Sequence, residues 1–397
     1  MAHSAMGRLL SGQRTLCSLR QSVSSLTQTR AMGTMRKVPP FKPTQVEELD
    51  QALHRFREEL FIPFSLPGPQ RKTMFKQSNA QRLLDDPIAV DISENEQYTL
   101  KPLNKGAMPK RKDAVKVLDL MERNNTWENL FPFTVGLETA NRNFKPDQWE
   151  RIIAALGKNN KLHLAVSCAR YAKRTGLRLS DMDVVRRLFF EIHRTAQMTD
   201  FEDKKTTDAL SLAHQAVNIM EQNPEHAVKD ASRDPKRQPF VIGTLLELAA
   251  TRAMLDLNNV GGTEQVLMYA RRLLACWPLG KFTFDPEHQD PQSIDTRLME
   301  EIIVWNGLNM AIKVPGVAPA KDVYAQLKQR KQDVEALIKK RLGSLSREEA
   351  EKRPLPGYRQ AVVFFQDALP KPKATMETPT QRETGKVETP KAETSDS

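Results

Sequence analysis

The chain has 397 residues, 60 Lys and Arg against 49 Asp and Glu, a net charge of +11 and three cysteines. That length allows one large or two ordinary domains. The absence of a CxxC pair excludes a zinc ribbon and a thioredoxin-like dithiol, and no run approaches the roughly 18 uninterrupted apolar residues of a membrane span.

Residues 1–35 carry Arg8, Arg14, Arg20 and Arg30, many Ser and Thr, and no acid; the first carboxylate is Glu47. A cationic, hydroxylated, acid-free leader has the composition of a mitochondrial transit peptide, with cleavage expected between Arg30 and Lys37. Without those four charges the remainder keeps +7. A basic protein of the matrix has RNA, DNA and anionic membrane as natural counterparts.

Residues 36–112 read as an extended, Pro-rich and basic arm. Within it, residues 47–61 form a short amphipathic helix with Leu49, Leu53, Phe56 and Leu60 on one face. Pro63, Pro67, Gly68 and Pro69 then argue against regular structure, and residues 70–112 read as irregular. The strand-like pieces at 88–92 and 98–102 can pair across Glu94-Asn95-Glu96 as a small hairpin.

From about residue 113 the apolar period becomes helical and continues, with Gly and Pro breaks, to about residue 345. Segments of ordinary helix length between short breaks predict an all-α body of antiparallel helix pairs. Residues 346–369 read as a C-terminal extension. In 370–397 the Glu-Thr pairs at 377, 383, 388 and 393 recur among prolines, and no aromatic follows Phe365. That composition predicts a disordered tail.

The most specific stretch is residues 148–181, QWERIIAALGKNNKLHLAVSCARYAKRTGLRLSD. One helix buries Trp149, Ile152, Ile153 and Leu156, and a second buries Leu164, Ala165, Cys168, Ala169 and Ala172. Gly176 stands where a helix end needs positive φ, and Asp181 where the next helix needs an N-cap. This unit resembles a pentatricopeptide repeat, which implies stacked helix pairs of the pentatricopeptide and tetratricopeptide type. No second close copy follows. Arg151 lies near the base-reading position of such repeats, and Arg is not a usual coding residue.

Chemistry-bearing patterns are sparse. Gly261-Gly262 lacks the following Lys-Ser/Thr of a phosphate loop. The seven histidines, His163 and His193 among them, form no metal-ligand spacing. Neither a catalytic site, a cofactor, a metal nor a small-molecule substrate is expected, and Cys168 and Cys276 read as buried structural thiols. Three basic clusters are more informative. Residues 101–112, KPLNKGAMPKRK, place Lys101, Lys105, Lys110, Arg111 and Lys112 in an acid-free stretch. Arg71, Lys72, Lys76 and Arg82 form the second. The helix at 320–342 carries Lys328, Arg330, Lys331, Lys339, Lys340 and Arg341 beside a partial apolar stripe. Such segments neutralise phosphate without reading bases. The candidate RNA-backbone contacts are therefore Lys101, Lys105, Lys110, Arg111, Lys112, Lys339, Lys340 and Arg341.

Over its whole length the order of parts resembles fungal mitochondrial large-subunit ribosomal proteins of the mitochondria-specific kind. The parts are the Arg/Ser leader, the Pro-rich lead-in, the segment VDISENEQYTLKPLNKGAMPKRKDA, the single repeat-like unit and a polar tail. The resemblance implies a structural protein of the mitochondrial ribosome, in the large subunit, with ribosomal proteins and ribosomal RNA as partners. Two alternatives are a pentatricopeptide-like factor acting on mitochondrial transcripts and an assembly factor of an inner-membrane complex.

Overall fold

Residues 47–65 are helical almost without interruption. Helix α1 (Glu47–Phe56) passes through a π-helical turn, Arg57–Phe61, into Ile62–Ser65. Its apolar face, Leu49, Leu53, Phe56 and Leu60, is buried in the main core. The Pro-rich lead-in is docked too. Buried Asn129 accepts from the Lys42 N–H and donates to the Lys42 carbonyl, both at 2.8 Å, and Phe41 joins a cluster with Phe61 and Phe133. The supposed arm is thus pinned to the helical body. The computed structural model describes residues 38–93, 96–255, 260–285, 290–345, 352–353 and 355–365. The transit-peptide and polar-tail expectations lie outside these residues.

Two further helices, α2 (Gly68–Phe75) and α3 (Ala80–Asp85), occupy sequence that reads as irregular. Pro69 stands in the first turn of α2, where its missing N–H has no intrahelical partner to lose and its fixed φ suits the helix. Strands β1 (Ala89–Ser93) and β2 (Glu96–Thr99) pair antiparallel with Val90 opposite Tyr98. Their inward residues, with Ile62, Leu66, Met74, Leu83 and Leu100, form a small core of their own.

The remaining body begins with α4 (Arg111–Arg123) and α5 (Leu130–Thr139) and continues as a stack of helix pairs, α6 (Pro146–Lys158) with α7 (Leu162–Arg170) and α8 (Met182–Gln197) with α9 (Asp203–Gln222). Then follow α10 (Pro239–Leu255) with α11 (Val260–Ala275) and α12 (Pro291–Lys313) with α13 (Lys321–Ser344), closed by α14 (Pro356–Phe364). First helices pack on first helices, α6 on α8, α8 on α10 and α10 on α12. Second helices lie on second helices, α7 on α9 and α11 on α13. This is the nearest-neighbour stacking of helical repeats. Gly176 has φ +77°, and the Asp181 side chain caps α8 by accepting from the N–H groups of Asp183 and Val184.

The inner row explains why only one unit is recognisable. Residues Pro239–Thr251 of α10 are buried on every side, as is most of α12 between Leu298 and Leu308. A helix enclosed by neighbours has no polar face and hence no amphipathic stripe. Where α10 crosses α12, Gly243 faces Gly307 so closely that a methyl on Gly307 would lie 2.6 Å from the Gly243 carbonyl oxygen.

Polar groups tie the row together. His193 of α8 and Glu247 of α10 are fully buried, with Nδ1 and Oε2 2.7 Å apart. Gln360 Nε2 of α14 lies 3.1 Å from His193 Nε2. These bonds fit an imidazole that carries its hydrogen on Nδ1 and accepts at Nε2. Burial pushes the Glu247 carboxyl up, against the attraction of His193. Buried Asp295 of α12 accepts from the Tyr358 N–H at 2.8 Å, so the C-terminal helix is held by side chains from the stack.

Candidate nucleic-acid interface

Helix α2 buries only Met74 among its eight residues, and Arg71, Lys72 and Lys76 stay at the surface. Met74 anchors it in the small core, and its carbonyl accepts from the Leu103 N–H at 2.9 Å. That bond lays residues 101–108 alongside α2 and merges two basic clusters separate in sequence. The result is a groove of about 500 Å³ lined by Phe64, Arg71, Lys72, Phe75, Lys76, Lys105 and Met108, with no carboxylate in its wall. The Arg71 guanidinium lies 5.4 Å from the Phe64 ring centre and the Lys105 ammonium 5.9 Å from that of Phe75, both within cation–π range. Phe64 and Met108 lean on the main core, whereas Phe75 is not among the side chains packed on either core.

The other candidates in 101–112 have distinct settings. Lys101 lies 3.7 Å from Glu58 and 5.9 Å from the Tyr98 ring, so its charge is partly compensated. Burial and Glu58 push the Tyr98 hydroxyl up to about 12. Lys110, Arg111 and Lys112 begin α4. The Lys110 N–H donates to Asp113 at 2.9 Å, and Arg111 Nε donates to the Asn143 carbonyl at 3.1 Å. Lys110 and Lys112 are exposed. At the positive end of the helix dipole, these cations add to the same field.

Helix α13 splits its candidates. Lys340 is exposed and sits 3.9 Å above the Phe284 ring. Lys339 pairs with Glu335 at 2.7 Å and lies 5.9 Å from Phe365. Lys328 covers Tyr324, Arg330 covers Trp277 and Lys331 covers Trp305, so the face is a row of cations seated on rings. Arg341 is a correction. It is 3% exposed, pairs through Nε with both Glu301 oxygens at 2.9 and 3.0 Å, and donates to the Thr283 carbonyl. Position 341 lies one turn beyond buried Ile338 and two beyond buried Val334, on the core face of the helix. Burial pushes Glu301 up to about 7 despite this arginine, so the pair belongs to the fold.

Three further side chains have clear settings. Arg151 pairs with Asp119 on α4, which occupies the side chain nearest the base-reading position. Cys168 is buried and its thiol is pushed up to about 12 by burial, while Cys276 is only half-buried. Among the described residues no group of three or more His, Cys, Asp and Glu is placed to hold a metal, and no helix is long and apolar enough to cross a membrane. Sequence reading missed the aromatic half of the groove, although its signal was present: Phe64 and Phe75 bracket Arg71 and Lys72, and Lys76 follows at once.

The family model for mitochondrial ribosomal protein mS27 matches residues 24–362. The chain belongs to the mitochondrial ribosomal protein mS27 family. A curated relative from Neurospora crassa, named small ribosomal subunit protein mS27, is 27% identical over 266 residues, covering 62% of this chain and 67% of the relative. The large-subunit expectation is overturned: the mS27 relative is named a small-subunit protein. The ribosomal reading stands at its coarser level. A mitochondrial ribosomal protein works in the matrix, among ribosomal proteins and ribosomal RNA.

Proposed function

We propose that this chain is a structural component of the small subunit of the mitochondrial ribosome, and that it supports translation by holding ribosomal RNA backbone against its basic surfaces. Membership of the mS27 family across most of the chain carries the proposal. The acid-free groove supplies Lys72, Lys76 and Lys105, and the exposed Lys110 and Lys112 follow in sequence at the start of α4. The exposed part of α13, with Lys340, supplies a second contact. Phosphate contacts of this kind position a protein on RNA without reading sequence. The helix stack offers large surfaces to neighbouring proteins.

The test is charge reversal. Lys105, Lys110 and Lys112 changed together to Glu should weaken incorporation into the small subunit, the more so as salt is raised. An unchanged sedimentation profile at every salt concentration would refute the RNA-backbone reading of these lysines.

A further inference from the structure

The groove between α2 and residues 101–108 has a composition that backbone neutralisation does not explain. A duplex RNA presents phosphates outward and keeps its bases stacked inside, so it needs cations on a convex or flat surface and has no use for rings in a hollow. Here Phe64 and Phe75 are half-buried in the groove, and the four cations Arg71, Lys72, Lys76 and Lys105 surround them. Phe75 is not packed on either core. Part of its ring remains open to solvent.

We infer that this groove seats an unpaired nucleotide of an RNA single strand, its base stacked on Phe75 and its flanking phosphates held by Lys72, Lys76 and Lys105. The inference rests on the RNA-contact reading and names the form of RNA. Every base has a π-face, so an aromatic platform inside a positive groove binds single strands with little sequence preference. The volume, about 500 Å³, falls in the range of small-ligand clefts, roughly 300 to 1,000 Å³. At 5.9 Å the Lys105 ammonium stands at the outer limit of cation–π contact with Phe75. It is an exposed side chain that can swing from ring to phosphate as the base arrives. An acidic peptide would satisfy the cations but would set carboxylates against the negative faces of the rings.

The experiment uses the full chain and two labelled probes, an oligouridylate strand and a blunt RNA duplex of the same length, with binding followed by fluorescence anisotropy. The strand should bind more tightly than the duplex. Phe75→Ala should lower strand affinity about 5- to 150-fold and leave duplex affinity unchanged, and Phe75→Trp should retain it. Lys72→Glu with Lys76→Glu should weaken both probes. If Phe75→Ala leaves strand binding unchanged while the charge reversal weakens it, the nucleotide seat is refuted and the backbone reading stands. If the charge reversal leaves both probes unchanged, RNA contact at this groove falls, and the nucleotide seat with it.

Discussion

Replacing Gly307 by Ala sets two effects of opposite sign against each other. In an exposed helix interior the change stabilises by about 1 kcal/mol, because glycine is the poorer helix former. At the α10–α12 crossing the new methyl would meet the Gly243 carbonyl oxygen at 2.6 Å, where ordinary contact begins near 3.4 Å. The obstacle is backbone on a helix enclosed by neighbours, so it cannot swing aside. Overpacking of this kind costs about 1 to 3 kcal/mol, and a rigid partner argues for the upper end. The net expectation is a loss of about 2 kcal/mol. Gly343 is the control, since it lies in α13 and a methyl there meets nothing within 4 Å. Gly343→Ala should leave the urea midpoint unchanged or raise it, while Gly307→Ala should lower it. Equal midpoints for the two variants would show that the α10–α12 crossing is not as close as described.

Three other outcomes are expected. His193→Ala should destabilise by roughly 1 to 3 kcal/mol, because it leaves the fully buried Glu247 carboxyl without its hydrogen-bond donor; Glu247→Gln, which can keep a hydrogen bond to His193, should cost less, and equal losses in urea would refute the pairing. Asp295, pushed up to about 6 by burial, binds its proton more tightly folded than unfolded. Its stabilising contribution is complete below about pH 4 and is lost as pH rises through about 6, so the unfolding free energy of the natural chain in urea should fall relative to Asp295→Asn over that window, by on the order of 3 kcal/mol; a constant difference would contradict this. On α13, Arg341→Ala should unfold the protein readily by leaving Glu301 unpaired, whereas Lys340→Glu should leave the thermal midpoint in place and weaken RNA binding; the reverse order would contradict the burial of Arg341.

What the sequence made legible follows from where each helix lies. The unit at 148–181 could be read because α6 and α8 each keep one wet face, so Trp149, Ile152, Ile153 and Leu156, and then Val184, Val185 and Leu188, stand out as stripes. Gly176 and Asp181 punctuate it with residues whose conformational roles are specific. The pairs built on α10 and α12 share its stacking, but burial on all sides removes their stripe. Helices α2 and α3 were misread for the opposite reason. Each buries one side chain, Met74 or Leu83, too little for a period to show, and Pro69 looks like a break until one sees that it stands in the first turn of α2.

The candidate interface was legible as charge and illegible as shape. Cations at 71–76 and at 105 are brought together by the Leu103–Met74 backbone bond, which no local pattern announces. Arg341 shows the converse: the run Lys339-Lys340-Arg341 reads as one patch, yet a turn of 100° per residue sends its members to different faces. Counting from Val334 and Ile338 would have placed Arg341 inward.

The central claim, membership of the small ribosomal subunit, is tested most directly by sedimentation of lysed mitochondria on a sucrose gradient with the subunits separated by magnesium depletion. Immunoblotting should find the native chain in the fractions that hold the small-subunit ribosomal RNA. Its appearance with the large-subunit RNA, or at the top of the gradient, would contradict the account.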